Sequence, residues 1–124
     1  LLKIIDIEKI AEFAKSKDII TIIDNTFATP IIQKPILFGV DIVLHSATKY
    51  FGGHSDISAG AVAASQTHID KIWNLAKNLG GNLSDYSVWL LERSMKTLSI
   101  RVKAQQKNAK IQKNKRLKHF KNQD

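Results

Sequence analysis

His45-Ser46-Ala47-Thr48-Lys49-Tyr50 follows the apolar run Ile42-Val43-Leu44 and leads straight into Phe51-Gly52-Gly53-His54. A lysine just after a buried strand, between two hydroxyls and a glycine pair, can be desolvated enough to lose its proton and attack a carbonyl, which is Schiff-base chemistry. Upstream, Ile19-Ile20-Thr21-Ile22-Ile23 reads as a second strand that brings Asp24-Asn25-Thr26 to its carboxyl end. β-Branched residues dominate it without polar alternation, so burial on both faces is expected, as in a parallel sheet. Asp24 and Lys49, 25 residues apart, are thereby expected at the carboxyl ends of two strands, where ligands sit in an open α/β sheet.

Working outward, Asp6 can cap a helix over about 7–16 in which Ile7, Ile10, Ala11 and Ala14 share a face. Thr26 to Lys34, with Pro30, reads as a loop, and Pro35 suits the first turn of a short helix ending near Gly39. Asp41-Ile42-Val43-Leu44 is the next strand, and this helix–strand–helix–strand order suits a parallel sheet with right-handed crossovers. Gly60-Ala61-Val62-Ala63-Ala64 is a third, small-residued strand candidate. Thr67-His68-Ile69-Asp70 has capping-box spacing before a stripe of Ile69, Ile72, Trp73 and Ala76 that closes at Gly80-Gly81. Ser84 can cap a helix carrying Val88, Leu91 and Met95, and a long helix is expected from about Leu98 with Ile100, Ala104 and Ile111 as its apolar positions. Trp73 and Trp89 fall on helical stripes and read as core or subunit contacts. The fold class is therefore α/β, three layers with helices on both faces of a mainly parallel sheet.

A chain of 124 residues, 44% hydrophobic, can bury one core but not two domains. Its net charge of +8 is localised: residues 1–100 carry ten basic and ten acidic side chains, whereas residues 101–124 carry nine basic and one acidic. The basic end from 112 to 124 has little to bury and reads as a solvated or disordered tail; with no aromatic stacking set accompanying its charges it does not suggest specific nucleic-acid binding. Cysteine is absent, which excludes a disulfide framework and is compatible with a reducing cytoplasm. No apolar run is long enough to cross a membrane.

A lysine for an aldehyde, a carboxylate to keep a ring nitrogen protonated, and hydroxyl donors for a phosphate are the parts that pyridoxal phosphate needs. Asp24-Asn25-Thr26-Phe27 with Thr29-Pro30, then Gly39-Val40-Asp41, Ser46-Ala47-Thr48-Lys49-Tyr50, and Gly53-His54-Ser55-Asp56 with Gly60 resemble the Cys/Met-metabolism family of pyridoxal-phosphate enzymes, over about residues 1–111. That family includes cystathionine γ-synthase, cystathionine lyases, methionine γ-lyase and O-acylhomoserine sulfhydrylases. The resemblance implies part of the large, cofactor-binding domain of a fold-type I enzyme. It implies a lyase or transferase of sulfur amino acid metabolism that works by β- or γ-elimination or replacement through a Lys49 Schiff base.

By the same resemblance Lys49 is the catalytic residue, Asp24 faces the pyridine nitrogen, Thr26 lies beside the ring, and Ser46 and Thr48 contact the phosphate. Taken without the resemblance, a lysine after a strand is most often a solvated surface group. Asp24 reads also as a turn aspartate preceding Asn25, Thr26 as a hydroxyl bonded to nearby backbone, and Ser46 and Thr48 as capping or turn residues. His45, His54 and Asp56 fit no helix-borne ligand pair, so no metal site is expected; the resemblance has them shaping the loop around the lysine.

Partners implied are a small amino acid substrate and further copies of the chain, since family members are usually tetramers with shared active sites. The family's glycine-rich phosphate cradle and cofactor-stacking ring precede Leu1, and its carboxylate-binding arginine belongs to a C-terminal domain; Arg93 and Arg101 do not stand at that motif. Beginning at a leucine, the chain is also compatible with a rival reading: a catalytically incomplete fragment from a truncated or frameshifted gene, prone to self-association through uncovered edges.

Overall fold

The structure, a computed structural model, describes the backbone of residues 4–121 and the side chains of residues 4–114. Helix α1 spans Ile7–Ser16, and the Asp6 side chain caps it by accepting a hydrogen bond from the Lys9 N–H. Strand β1, Ile22–Asp24, is followed by the single-turn helix α2, Thr29–Ile32, and by a 3-10 turn, Pro35–Phe38, that ends at Gly39 with φ of +85°. Strands β2, Ile42–Ser46, and β3, Gly60–Ala64, precede helices α3, Gln66–Leu79, α4, Asp85–Met95, and α5, Leu98–Lys121.

Among the described residues the sheet has the order β1-β2-β3. β1 and β2 run parallel, with Ile23 opposite Val43 and Asp24 opposite Leu44. β3 is antiparallel to β2, with Leu44 opposite Val62 and Ser46 opposite Gly60, so the sheet is mixed. Residues 47–59 form no helix, and a parallel return needs a crossover of a dozen or more residues, usually helical; the chain instead doubles back along the free edge of β2. Thr21 and Asp41 hold the start of the parallel pair in register: the Thr21 N–H and hydroxyl both donate to one Asp41 carboxylate oxygen, at 2.8 and 2.7 Å, while the Asp41 N–H donates to the Thr21 hydroxyl.

Period-two alternation sorts the layers. On one face Val43 packs with Ala11 of α1 and with Val40, flanked by Ile7 and Ile23. The same face carries Ala61, which borders a second cluster of Ala47, Phe51, Leu98 and Val102 and so brings in α5. On the opposite face Val62 shares a groove with Ile69, Ile72, Trp73 and Ala76 of α3. Helices thus lie on both faces of the sheet.

Several local expectations change. β1 is three residues long, and Ile19, Ile20 and Ile22 are 56%, 57% and 61% exposed, not buried on both faces: β1 is an edge strand, and α1 covers only its Ile23 side. The stretch expected as a loop holds α2, closed by a reciprocal amide pair in which Asn25 donates to the Gln33 carbonyl and Gln33 donates to the Asn25 side chain. α3 starts at Gln66, one residue before the expected Thr67 cap, and Ser65 precedes it without a side-chain cap.

Ser84 caps α4 as its spacing requires, accepting from the Ser87 N–H. Trp73 and Trp89 are more than half exposed and belong to no core cluster; Trp89 stacks on Tyr86 instead. On α5 the buried apolar residues are Leu98 and Val102, one turn apart, whereas Ile100 stands about 200° round the helix from Leu98 and is exposed, as are Ala104 and Ile111. α5 runs unbroken past residue 111, residues 112–114 are exposed, and the rest of the expected tail lies outside the described side chains.

Candidate active site

β2 ends at Ser46, and the chain turns sharply through residues 47–53. The Lys49 N–H donates to the Ser46 carbonyl at 3.1 Å, the Gly52 N–H to Ala47 at 2.8 Å and the Gly53 N–H to Lys49 at 2.7 Å. Ala47 is fully buried and Phe51 nearly so, both against Leu98 and Val102. Anchoring the turn at those two residues leaves Lys49 pointing outward between them. Gly52 closes the turn, and a methyl group there would stand 2.8 Å from Ile57 Cγ1 and 3.1 Å from the Ala47 carbonyl oxygen. Gly52→Ala is therefore expected to overpack the turn and cost about 1–3 kcal/mol, read as a lower urea midpoint; an unchanged midpoint would mean the turn can widen freely.

The five predicted site residues cluster at the carboxyl ends of the parallel pair. Asp24 ends β1, and its Oδ1 accepts from the Thr26 N–H at 2.9 Å. The Thr26 hydroxyl accepts from the Ser46 N–H at 2.7 Å, tying the end of β1 to the end of β2. Thr48 is pinned to the chain entering β3: its N–H and hydroxyl both donate to the Ala59 carbonyl, at 3.1 and 3.3 Å, and its hydroxyl accepts from the Ala59 N–H at 2.9 Å. The Ser46 hydroxyl has no protein partner among the described residues. Lys49 is exposed, in an open cleft of about 460 Å³ whose walls include Phe27, Tyr50, Ser55 and Arg101. The desolvation expected of this lysine is thus not supplied by the residues described, because the cleft opens to solvent. Asp24, Thr26 and Ser46 do not line that cleft.

The Thr26 hydroxyl and N–H beside Asp24 hold its carboxyl below the ordinary carboxylate range, with a smaller contribution from His45. Asp41 is lowered in the same way by its bonds from Thr21. His45 is buried and stacks on Phe51 at a centroid distance of 4.7 Å; burial pushes its imidazole below the ordinary histidine value, against an opposing pull from Asp24. All three shifts act on stability in one direction. The carboxylates stabilise the fold above their unfolded pKa near 4 and lose that contribution as pH falls through their lower folded values. Below about pH 6.5 the unfolded chain takes up a proton on His45 that the fold resists. The melting temperature is therefore expected to fall on acidification from about pH 7 to 5, with a His45→Gln variant flattening that limb; a rise over the same interval would contradict the neutral, buried His45.

His54 engages the Gly52 carbonyl through Nδ1 at 2.7 Å, His45 stacks on Phe51, and no group of three His, Cys, Asp or Glu converges among the described residues.

Sequence reasoning gave Arg101 no role, yet its guanidinium donates to the carbonyls of Tyr50 at 2.7 Å, Phe51 at 3.3 Å and Ser94 at 3.0 Å, and to the Thr97 hydroxyl at 3.0 Å. The spacing of fifty residues between Arg101 and the turn carries no local signal that could have revealed it. Against the needs of pyridoxal phosphate the donor set fits: an exposed primary amine, an ionised carboxylate on the neighbouring parallel strand and an unengaged hydroxyl at Ser46. The Thr48 hydroxyl fits only if it turns away from Ala59.

A sequence profile described as Cys/Met metabolism PLP-dependent enzyme matches residues 1–114. Among curated relatives, a cystathionine beta-lyase of Lactococcus lactis subsp. cremoris (strain MG1363) is 48% identical over 110 residues, which are 88% of this chain and 29% of that protein. A cystathionine gamma-lyase of Bacillus subtilis (strain 168) is 45% identical over 111 residues, 89% of this chain and 29% of the relative. Among solved structures, cystathionine gamma-lyase from Lactobacillus plantarum complexed with L-serine superposes with a TM-score of 0.76 at 50% identity, over 81% of this chain and 26% of that one. The chain thus spans about 29% of the length of the curated relatives it matches. With residues 1–114 matched and a layered α/β fold shared with solved members, the chain belongs to the Cys/Met-metabolism family of pyridoxal-phosphate-dependent enzymes.

Proposed function

We propose that this chain carries the lysine-bearing part of a pyridoxal-phosphate-dependent lyase or transferase that acts on small sulfur amino acids or homoserine esters by β- or γ-elimination or replacement. The observation that carries the reading is the joint between β1 and β2, where the Thr26 hydroxyl bonds the Ser46 N–H and sets ionised Asp24 and the Lys49 turn at one end of a parallel pair. When bound, pyridoxal phosphate supplies an electron sink for negative charge at the substrate α-carbon. Lys49 would hold the cofactor through its Nζ and, once released by substrate, carry a proton between substrate carbons. Asp24 would accept a hydrogen bond from the ring nitrogen and keep it protonated, Thr26 would keep Asp24 ionised, and the hydroxyls of Ser46 and Thr48 would donate to phosphate oxygens. The working protein is a homo-oligomer, a tetramer on the family's pattern, in the cytoplasm.

A second reading, that the chain alone is catalytically incomplete, is favoured by the 29% span and by the exposure of Phe27, Leu37 and Trp73 at 79%, 75% and 60%. One experiment separates the two: the purified chain is incubated with pyridoxal phosphate and L-cystathionine, and released thiol and 2-oxo acid are measured beside cofactor incorporation at Lys49. Product release supports the enzyme reading for this chain. Incorporation without product supports the incomplete one. Neither product nor incorporation also supports the incomplete reading and overturns the enzyme reading for this chain, while incorporation at other lysines but not at Lys49 would sink both.

A further inference from the structure

We infer that Arg101 is a positioning residue for Lys49, acting through the backbone of the turn that carries it; the role toward the cofactor rests on the function proposed above. The turn has two sides. On the inner side Ala47 and Phe51 are fastened by apolar packing, which sets depth but not direction. On the outer side the carbonyls of Tyr50 and Phe51 have a common partner in the Arg101 guanidinium, at 2.7 and 3.3 Å. The same planar group reaches back to the Ser94 carbonyl and the Thr97 hydroxyl, where α4 passes into α5. Its donors lie in a rigid fork, so the group cannot satisfy α4, α5 and the turn together unless the turn stands at one distance and one angle to them. The residue adjacent to the first gripped carbonyl is Lys49.

Gly53 supports the same reading independently. It adopts φ of +76°, and a Cβ there would overlap the guanidinium, 2.7 Å from Arg101 Cζ. The chain passes the arginine with room for no side chain. Arg101 also lines the cleft beside Lys49, but all four of its assigned hydrogen bonds go to protein, so it is committed to the turn and not offered to a substrate carboxylate.

Arg101→Lys keeps the charge and the stem but replaces the fork by a single ammonium that cannot reach Tyr50, Phe51 and Ser94 at once. Gly53→Ala keeps the arginine in the chain but pushes its guanidinium aside from the turn, and strains the backbone at φ of +76° as well. The test compares both variants, and their combination, with the unmodified full chain in two measurements. The first, made without cofactor, is amide hydrogen exchange at Gly52 and Gly53, whose N–H groups close the turn. The second is the rate at which pyridoxal phosphate is captured at Lys49, followed by borohydride reduction and peptide mapping, across pH.

Each variant is expected to keep its far-UV circular dichroism, to lose protection at Gly52 and Gly53, and to capture at Lys49 about tenfold or more slowly, since small misplacements of a reacting group cost this much. The double variant is expected to be no slower than the slower single one, because both break one arrangement. Unchanged protection in Arg101→Lys would overturn the inference. So would loss of the whole chain's helical signal in that conservative variant, since Arg101 would then be holding the fold and not the turn. Should the unmodified chain fail to capture the cofactor at Lys49, the proposed function fails for this chain, and the exchange data alone decide the role of Arg101.

Discussion

Lys49→Ala is expected to abolish the visible absorbance band that pyridoxal phosphate gives with this chain, and borohydride should then fix no cofactor on the peptide containing residue 49. Among the described residues Lys49 combines an exposed amine with a turn fastened on both sides, by Ala47 and Phe51 within and by Arg101 without. Other exposed lysines, such as Lys34 beside the 3-10 turn and Lys71 on α3, have no comparable frame, and serve as internal controls for unselective reaction. The Lys49 side chain enters no hydrogen bond or ion pair among the described residues, so its removal should change stability by no more than about 0.5 kcal/mol. An alanine variant that kept the band at full strength would move the chemistry to a different amine and end the assignment of Lys49.

Thr26→Val is expected to produce the largest loss of stability among substitutions that change no volume at the site. Valine keeps the shape of threonine but removes the acceptor of the 2.7 Å bond from the Ser46 N–H, at the joint between the two parallel strands. Leaving this part-buried backbone donor unpaired costs about 1–3 kcal/mol, toward the lower end where water can reach it. The same substitution removes the hydroxyl that contributes most to holding Asp24 ionised, so Asp24's share of the acid loss of stability should shrink and the acid limb below about pH 4 should flatten. Urea unfolding at neutral and acid pH measures both effects, with Thr26→Ser as the variant that keeps the hydroxyl. Equal midpoints for valine and serine would show that the joint contributes nothing and that the two strand ends are held apart from it.

Asp6, Ser84, Gly39 and Gly80 were legible as helix boundaries because capping and left-handed termination are decided within four residues of the cap. The Lys49 turn was legible for a similar reason: an apolar strand, alternating hydroxyls and a glycine pair are adjacent in sequence. β1 was overread, since five β-branched or apolar residues in a row signal burial without saying how many neighbours a strand has. At the edge, with one paired side and one covered face, the same residues remain half exposed. Ile100 and Ile111 were overread likewise, because on a helix as polar as α5 the one buried stripe is chosen by the turn it meets, through Leu98 and Val102.

What the chain's sequence determined by itself is local: an aspartate at the end of one apolar run, a lysine just past the end of the next, and the residue pattern around them that resembles a pyridoxal-phosphate family. Only the tertiary structure decided that the Thr26 hydroxyl joins the two strand ends, that β3 returns antiparallel, and that Arg101 grips the lysine's turn from half a chain away. The reason is physical. A cap or a turn is set by neighbours that chain connectivity already holds close, whereas bonds across 20 or 50 residues exist only once packing has closed the loops between them, and no short-range preference encodes which loops will close.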